Sequence, residues 1–399
     1  MLRGMLVNIG IFTDTYYPQV SGVATSIKTL REQLESRGHN VYIFTTTDPN
    51  VEPSQYERNI YRFTSIPFIS FTDRRIAVRG LFRAYQVAKE LGLDIVHTQT
   101  EFSMGWIGKF VAKNLKIPCI HTYHTMYEDY LHYVAKGKLL RPYHVKQMSR
   151  TFCYHMNGIV APSERVSNTL ERYGIKSPIS IIPTGVDVAK FRTKSELDLR
   201  SYYNISKGTP LLLTLSRLAY EKNIDRLIAV MPTVLQRIQT AKLMIVGDGP
   251  AMQSLKLQTK ELGLENKIIF AGEIDNDKVA AYYQMADLFV STSVSESQGL
   301  TYIEALASGV RVVATHSPYT DELLEDTDFG CTFSNNDELV EVICKYLKRR
   351  KIKISPEKLA AKRASVSADN FGERILKFYK DCQEAYDKQK ETSHTGEIG

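Results

Sequence analysis

Two glutamates stand eight residues apart in the segment Ser291–Gly309, on either side of a glycine that is predicted to begin a helix. Glu296 lies in the loop before Gly299, and Glu304 lies on the helix, about a turn and a half after that glycine. The first N–H groups of a helix have no intrahelical partner, and the helix dipole favours an anion there. The segment therefore offers one carboxylate for hydroxyl groups, backbone amides for phosphate and a second carboxylate for a diol. This combination fits a sugar nucleotide.

A second pair of charged residues, Arg217 and Lys222, follows the predicted strand Leu211–Ser216. Ligands of open α/β sheets bind beyond the carboxyl ends of the strands, which is where this pair falls. The arginine offers a planar fork for phosphate, and the lysine offers a mobile point charge. Basic residues in a loop are more often exposed surface residues than ligands, so the pair alone does not establish a phosphate site.

Polar residues also follow two predicted strands in the first half of the chain. His124 comes directly after Pro118–Tyr123, and Glu101 follows an earlier strand. A single histidine is more often a hydrogen-bonded structural residue than a ligand. Glu128 and Asp129 either accept hydrogen bonds from hydroxyl groups of a substrate or cap a helix, and the sequence leaves that choice open.

The elements that must position these residues are short apolar strands that alternate with amphipathic helices. This alternation predicts an α/β protein with doubly wound, mostly parallel sheets. The first series of predicted strands is Leu6–Phe12, Val41–Thr46, Asp94–His97, Pro118–Tyr123, Gly158–Ala161 and Ile179–Pro183. The second series is Leu211–Ser216, Ala241–Val246, Lys267–Ala271, Asp287–Ser291 and Arg311–Ala314. We expect two successive Rossmann-like domains, at residues 1–183 and 184–368, followed by a C-terminal helix and tail at residues 369–399.

The composition is typical of a globular protein, with 43% hydrophobic and 24% charged residues in a chain of 399 residues, a length that suits two domains. No apolar run approaches the roughly 18–20 residues that span a bilayer, and residues 1–12 lack a signal-peptide pattern. The five cysteines show no Cys-x-x-Cys spacing, which favours buried thiols in a reducing compartment. These features predict a cytoplasmic protein. Because neither a zinc-like cluster nor a convincing Asp-x-Asp pair is present, we expect a site without a metal or other cofactor.

The pattern Ser-Glu-x-x-Gly-Leu-x-x-x-Glu-Ala-x-Ala-x-Gly, which ends at Gly309, resembles the Glu-x7-Glu motif of retaining glycosyltransferases with the GT-B fold. The resemblance implies two Rossmann-like domains that face each other across a cleft. It implies that Glu296 orients the hydroxyl groups of the donor sugar and that Glu304 holds the ribose. Arg217 and Lys222 would bind the diphosphate of the donor, and preorganised groups of this kind stabilise developing charge.

The same resemblance assigns further residues to the donor. His124 would contact the sugar near the reacting carbon, and Gly22 would let the loop after the first strand approach the donor phosphate. Many members of this family have two glycines in that loop, whereas this chain has Ser21-Gly22. The Gly-Asp-Gly sequence at 247–249 fits a simple turn and a nucleotide-lining loop equally well. The residues implied to hold the base or the phosphate, largely through backbone groups, are Gly272, Ile274, Gly299, Leu300 and Thr301.

The net charge of +7 is carried by the first half of the chain. Residues 1–190 hold 23 Lys and Arg against 15 Asp and Glu, and the remainder holds 28 against 29. Within residues 58–150 the cations interleave with aromatic and aliphatic side chains, which suits an anionic membrane surface, although a solvated charged face is the plain alternative. Nucleic acid is not expected, because no recognised reading module appears. The cations assigned to the membrane surface are Arg74, Arg75, Arg79, Arg83, Lys136, Lys138, Arg141 and Lys146.

Three segments, Phe12–Ile27, His97–Ser103 and His121–Tyr133, resemble bacterial diacylglycerol glucosyltransferases, which make the glycolipid anchor of lipoteichoic acid. That resemblance implies retaining transfer of glucose from UDP-glucose to the 3-hydroxyl of 1,2-diacylglycerol, by an enzyme on the inner face of the cell membrane. The three carboxylates of the first half named above are then expected to contact the acceptor. Two alternatives stay open: a transferase that adds a glucosyl or galactosyl unit to monoglucosyl-diacylglycerol, and a nucleotide-sugar-binding membrane adaptor without turnover. The sequence does not specify an oligomeric state.

Overall fold

Parallel β-strands alternate with α-helices along the chain, and the strands form two separate large sheets. The structure, a computed structural model, describes residues 6–19, 21–52, 57–68, 71–128 and 141–395, without the side chains of residues 68, 71–74 and 393–395. It divides into two compact units. Met1–Gly185 and Ala368–Gly399 form the first unit, and Val186–Ser367 forms the second. The α/β class predicted from the alternation of strands and helices is confirmed.

The first unit is built on a seven-stranded parallel sheet in the order β3-β2-β1-β6-β7-β8-β9, and a separate antiparallel hairpin pairs β4 with β5. Helices cover both faces, so the central strands are apolar on both sides, as a buried parallel sheet requires. Ile9, Ile11 and Phe12 of β1, for example, are all fully buried. The strands are β1 Asn8–Phe12, β2 Asn40–Thr46, β3 Ile60–Phe63, β4 Ser65–Phe68, β5 Phe71–Ala77, β6 Ile95–Thr98, β7 Cys119–Thr122, β8 Gly158–Ala161 and β9 Ile179–Ile181.

The second unit has a six-stranded parallel sheet in the order β12-β11-β10-β13-β14-β15. Counted within the unit, this order is 3-2-1-4-5-6, the strand order of the Rossmann fold. The strands are β10 Leu211–Leu215, β11 Lys242–Val246, β12 Ile268–Gly272, β13 Leu288–Ser291, β14 Val312–Thr315 and β15 Gly330–Phe333. The apolar pattern of the sequence does not predict β3, β4, β5 and β15, because these edge or hairpin strands lack a continuous apolar run.

Most connections between the strands contain a helix, as right-handed parallel crossovers require. In the first unit these helices are α1 Gly22–Ser36, α2 Leu81–Glu90, α3 Ser103–Leu115, α4 Pro142–Cys153 and α5 Glu164–Arg172. In the second unit they are α6 Val188–Arg192, α7 Leu199–Tyr202, α8 Ile224–Arg237, α9 Met252–Glu261, α10 Val279–Met285, α11 Leu300–Ala307, α12 Pro318–Leu323, α13 Asn336–Lys348 and α14 Pro356–Ser365.

The last helix, α15 (Ala368–Thr395), returns to the first unit and packs beside α1. The apolar residues of α15 recur with the helical period and form a stripe along one face of the helix. This stripe is buried in the hydrophobic core that α15 shares with α1 and the sheet. The tyrosine of the stripe also binds the sheet, because Tyr379 OH lies 2.6 Å from Nδ1 of the fully buried His97. The buried residues of the stripe are Phe371, Ile375, Phe378, Tyr379 and Cys382.

The cysteines are free thiols; four are buried and Cys331 is half-buried. In the part of the chain that the structure describes, no helix combines the length and the apolar character needed to cross a bilayer.

Candidate functional site

The loops after β10 and β13 meet at the carboxyl edge of the second sheet. These strands are neighbours, although they are the first and fourth strands of the unit, so the order of the chain reverses between them. Such a switch point is where ligands bind in open α/β sheets. Thr292 Oγ1 lies 3.1 Å from the backbone oxygen of Lys222 and 2.7 Å from that of Asn223, and these contacts tie the two loops together.

Lys222 and Glu296 form an ion pair at this switch point, with Nζ 2.6 Å from Oε1. The lysine ends a short 3-10 helix, Tyr220–Lys222, and the glutamate lies in the loop before α11. Their side chains are 16% and 22% exposed, so the pair is shielded from bulk solvent on most sides. The structure therefore brings together the two residues that the sequence analysis assigned to the diphosphate and to the sugar.

The start of α11 requires a glycine. Gly299 is the N-cap residue and has a φ of +71°, in the left-handed region that side chains disfavour. A Cβ at this position would also lie 2.7 Å from the ring of Tyr302. Because the cap residue has no side chain to accept a hydrogen bond, the first N–H groups of the helix, at Leu300 and Thr301, are not capped by it. Both residues are half-buried, and the helix start has the character of an anion site.

Glu304 lies on α11 and accepts a hydrogen bond from Tyr283 OH at 2.8 Å. Burial raises the pKa of Glu304 to about 7, and the hydrogen bond from Tyr283 and the charge of Lys190 oppose that rise. A carboxyl group poised near neutral pH is typical of functional sites, although structural carboxyls also show such shifts. The two glutamates of the motif thus have different surroundings, since Glu296 is paired with a cation and Glu304 with a neutral phenol.

Arg217 is exposed immediately after β10, at the same edge of the sheet. The turn after β11 approaches this loop closely, and Leu218 N–H donates to the backbone oxygen of Asp248 at 2.9 Å. A Cβ on Gly247 would lie 1.9 Å from the backbone oxygen of Ser216, so the approach requires glycine there. The close approach therefore explains the glycine structurally, and a role of the turn in lining the nucleotide stays a prediction.

The residues predicted to face the base, Gly272 and Ile274, lie at or just after the end of β12. Gly272 ends β12 with a φ of +74°, and its backbone oxygen accepts from Gly247 N–H at 2.8 Å. Ile274 is half-buried and packs against the core of the unit. All the predicted donor residues of the second unit thus lie at or near the carboxyl ends of β10, β12 and β13 or on α11.

In the first unit, His124 follows β7 and Gln99 follows the neighbouring strand β6. His124 Nε2 lies 2.7 Å from Gln99 Oε1. Burial, reinforced by the nearby His121, lowers the pKa of His124 to about 3, so the imidazole is neutral at physiological pH. Gly22 is exposed at the first position of α1, after the N-cap residue Ser21, whose Oγ accepts from Ala24 N–H at 3.1 Å.

The carboxylates predicted to contact the acceptor have different surroundings. Glu101 is 4% exposed, accepts a hydrogen bond from Tyr127 OH, and lies 3.2 Å from His121 Nε2. Glu128 is half-buried and accepts from Arg172 Nη2 at 3.3 Å. Asp129 lies outside the described residues.

Asp14 is a buried acidic residue that is not among the site residues predicted from the sequence. It lies just after β1 and is 1% exposed. Its carboxylate accepts from Thr100 Oγ1 at 2.6 Å, from Ser103 Oγ, and from Met104 N–H at 3.1 Å, at the start of α3. A negative charge at a helix start is stabilised by the helix dipole. The signal that could have found it is an acidic residue at the carboxyl end of an apolar strand.

The predicted basic surface is only partly exposed. Arg79, Arg83 and Arg141 are exposed and Lys146 is half-buried. Arg75 instead holds the hairpin, because its Nε and Nη2 donate to Oγ and the backbone oxygen of Ser65 at 2.9 and 2.7 Å. The side chain of Arg74 is not described, and Lys136 and Lys138 lie outside the described residues.

Exposed aromatic side chains lie on a surface that we term the α2–α3 aromatic face and define by Phe82, Trp106 and Phe110. Phe82 is 74% exposed and Trp106, the single tryptophan of the chain, is 45% exposed. Phe82 packs edge-on against Phe110, with 6.1 Å between ring centroids, and Phe110 lies one helical turn from Trp106. Arg79 precedes α2, and Arg83 lies on α2 with its guanidinium carbon 5.7 Å from the ring centroid of Phe63.

Within the described ranges, no group of three or more His, Cys, Asp or Glu side chains is arranged to hold a metal ion. Independence from a metal stays a prediction, since the composition of a site does not by itself establish how it works.

Two family models match successive parts of the chain. The model for glycosyltransferase family 4 matches residues 20–190, and the model for glycosyl transferases group 1 matches residues 196–390. The alpha-monoglucosyldiacylglycerol synthase of Streptococcus pneumoniae is 46% identical over 94% of this chain and 86% of its own length. The protein of the same name from Acholeplasma laidlawii is 31% identical over 95% of this chain and 96% of its own.

Solved structures with the same fold cover nearly the whole chain. Sucrose-phosphate synthase from Thermosynechococcus elongatus superimposes with a TM-score of 0.76 and 20% identity, over 95% of this chain and all of its own. HepE from Anabaena, in complex with UDP and glucose, superimposes with a TM-score of 0.75 and 18% identity, over 94% of this chain and all of its own. These likenesses concern the fold. Taken with the family models and the two synthases, they show that this chain belongs to the GT-B glycosyltransferases, in the family that includes the alpha-monoglucosyldiacylglycerol synthases.

Proposed function

We propose that this protein transfers glucose from UDP-glucose to the 3-hydroxyl group of 1,2-diacylglycerol, with retention of configuration, at the surface of an anionic membrane. The observation that carries the proposal is the Lys222–Glu296 pair at the switch point of the second sheet, where a cation for phosphate and a carboxylate for hydroxyl groups meet. The acceptor and the sugar follow from the names of the two synthases, one of which is 46% identical to this chain.

Groups of the second unit would hold the donor, and they differ in charge from one part of the donor to the next. Arg217 and Lys222 would bind the diphosphate, together with the N–H groups at the start of α11 after Gly299. Glu296 would accept from hydroxyl groups of the glucose. Glu304 would accept from the ribose diol when ionised, while backbone groups near Gly272 and Ile274 would face the uracil.

In the reaction, the bond between C1 of glucose and the β-phosphate oxygen breaks, and a bond forms between C1 and the 3-oxygen of diacylglycerol. The proton of that hydroxyl passes to the departing phosphate, so the products are α-glucosyl-diacylglycerol and UDP. Negative charge develops on the leaving diphosphate, and Arg217, Lys222 and the amides of α11 would stabilise it without a metal or other cofactor. His124 of the first unit would contact the sugar near C1 through its neutral imidazole.

The acceptor lies in a membrane, so the enzyme would work at the inner face of the cell membrane. Exposed Phe82 and Trp106, together with the exposed cations Arg79 and Arg83 near Phe82 in the chain, give this part of the first unit the composition of an interfacial surface. Each cation near an anionic surface contributes about 1 kcal/mol of adhesion. The glycolipid product would be the anchor of lipoteichoic acid.

The test is product analysis with purified protein, radiolabelled UDP-glucose or UDP-galactose, and vesicles that contain either diacylglycerol or monoglucosyl-diacylglycerol. We expect one labelled glucose on diacylglycerol, and the anomeric proton coupling of the product measured by NMR should show the α-anomer. Transfer to monoglucosyl-diacylglycerol alone, transfer from UDP-galactose alone, or a β-anomer would each refute the corresponding part of the proposal.

A further inference from the structure

The buried amide of Gln99 is unusual in the first unit. The residue is 2% exposed at the carboxyl edge of the sheet, and its backbone N–H donates to the backbone oxygen of Phe12 at 2.8 Å. Its side-chain oxygen lies 2.7 Å from His124 Nε2, whereas its side-chain nitrogen has no partner among the described residues. Leaving a buried donor unpaired is unfavourable, and an apolar side chain would avoid that cost. Packing alone therefore does not explain a glutamine at this position.

The contact with Gln99, as the amide is oriented, favours one of the two neutral tautomers of His124. An amide oxygen only accepts hydrogen bonds, so the imidazole Nε2 must be the donor. In a neutral imidazole the other nitrogen, Nδ1, then has a lone pair and is an acceptor. A hydroxyl group of a ligand can donate to that nitrogen.

We propose that Gln99 is a positioning residue for glucosyl transfer, which holds His124 as the Nε2–H tautomer so that Nδ1 accepts a hydrogen bond from a hydroxyl group of the donor sugar. The inference rests on the proposed function, because it takes His124 to contact the sugar. Gln99 itself acts through the histidine and need not touch the reacting atoms. The unpaired amide nitrogen is the cost of directing the amide oxygen at the imidazole.

The other titratable groups near His124 belong to the same two strand ends. His121 precedes it at the end of β7, and His97 lies on β6; both are fully buried. His97 is held between Tyr379 OH and Thr122 Oγ1, at 2.6 and 2.7 Å. Glu101 faces His121 rather than His124. Gln99 is therefore the neighbour whose replacement most directly changes the charge beside Nε2.

Two substitutions separate the hydrogen bond from the charge. Gln99→Glu places a carboxylate beside Nε2, which favours the imidazolium form and raises the pKa of His124. An imidazolium has no lone pair to offer the sugar. Gln99→Met keeps the volume of the side chain and removes the acceptor without adding a charge. Without this acceptor, both neutral tautomers of His124 should be populated. Activity should then fall by the same factor at every pH.

The measurement is kcat/KM for UDP-glucose with diacylglycerol vesicles between pH 5 and 8, expressed as the ratio of variant to wild type. A carboxylate beside the imidazole should raise the pKa of His124 from about 3 to about 6 at most, so for Gln99→Glu we expect up to about a tenfold loss at pH 5 that disappears by pH 8. For Gln99→Met we expect a loss of about tenfold throughout that range. The histidine ring signals in NMR spectra should show a raised pKa for His124 in Gln99→Glu, and thermal unfolding checks that both variants fold.

A flat ratio for Gln99→Glu across the pH range, with or without a loss of activity, would overturn the inference, and so would wild-type activity in Gln99→Met. These results are distinct from failure of the proposed function. If the wild-type protein does not glucosylate diacylglycerol, the proposed function is wrong. If the wild type is active and the ratio for Gln99→Glu is flat, only the role of Gln99 is wrong.

Discussion

Lys222 Nζ lies 2.6 Å from Glu296 Oε1, although the two residues are 74 positions apart in the chain. Each residue is expected to bind a different part of the same donor, the lysine its diphosphate and the glutamate its sugar. Without the donor they bind each other. A half-buried ion pair of this kind contributes little net stability, because desolvation offsets the attraction, but removing one partner leaves the other charge poorly compensated. The pair is therefore better explained by ligand binding than by folding.

The first prediction concerns this pair. Lys222→Ala should lower kcat/KM for glucose transfer by about 1,000-fold, because charge on the leaving diphosphate loses a preorganised cation. Glu296→Gln should lower it by about 100-fold, and the double variant should lose little more than Lys222→Ala, since residues that act as a unit are not additive. Initial rates of labelled glucose transfer measure these losses.

The matched control for the lysine is Lys260→Ala, which removes an exposed lysine of α9 in the same unit and should leave the rate unchanged. If the activity of Lys222→Ala is within twofold of the wild type, then Lys222 does not bind the diphosphate.

The second prediction concerns the pH dependence of donor binding. The pKa of Glu304 is about 7, and under the proposed function its ionised form would accept from both ribose hydroxyls. The ionised fraction rises from about a tenth at pH 6 to about nine-tenths at pH 8, so the affinity for UDP-glucose should rise up to about ninefold. Calorimetric titrations without acceptor measure it. Glu304→Gln should bind weakly at both pH values, and an equally steep rise in that variant would exclude Glu304 as the source.

The third prediction follows from the same group but concerns stability. The pKa of Glu304 is raised from 4.5 in the unfolded chain to about 7 in the fold, so the folded protein binds the extra proton between these values. Stability must then fall as the pH rises from about 4.5 through about 7. Glu304→Gln should be more stable than the wild type at pH 8 and no more stable at pH 5, as measured by urea unfolding. A difference that is independent of pH would show that Glu304 is ionised throughout.

The fourth prediction concerns a buried hydroxyl near Glu296. Tyr319, on α12, is 7% exposed and its OH has no partner in the described part of the chain. Tyr319→Phe should therefore raise the free energy of unfolding by about 1 kcal/mol, because it removes an unsatisfied polar group without changing the packing. The matched control is Tyr302→Phe, whose OH lies 3.0 Å from Ser291 Oγ and whose loss should destabilise by about 1 kcal/mol. Urea unfolding of both variants compares them, and destabilisation by Tyr319→Phe would show that its hydroxyl is satisfied.

The fifth prediction concerns the α2–α3 aromatic face. Removing Phe82 and Trp106 together should weaken sedimentation with phosphatidylglycerol vesicles by about tenfold at every salt concentration, since apolar burial is not screened. Replacing Arg79 and Arg83 with alanine should instead weaken binding at low salt and flatten its salt dependence. The control is Leu257→Ala on the second unit, where the leucine is 58% exposed. Unchanged binding in both double variants would show that this face does not contact the membrane.

The local parts of the site can be predicted from the amino-acid sequence. The order Glu296, Gly299, Glu304 defines a loop, a helix start and a second carboxylate, because the geometry of one helix sets their separation. Apolar runs that alternate with helical segments determined the α/β class, since strands buried on both faces read as continuous apolar runs. Strands that are short, charged or at an edge, such as β3–β5 and β15, carry no such signal.

Which distant residues meet depends on the fold of each unit. The pairing of Lys222 with Glu296, of Gln99 with His124 and of Asp14 with the start of α3 depends on which strands are neighbours in each sheet. Buried parallel strands have similar apolar sequences, so their composition does not specify their order; that order comes from packing the whole unit. The same packing removes water from the carboxyl of Glu304 and the imidazole of His124, and it moves their pKa values in opposite directions because burial disfavours whichever form is charged.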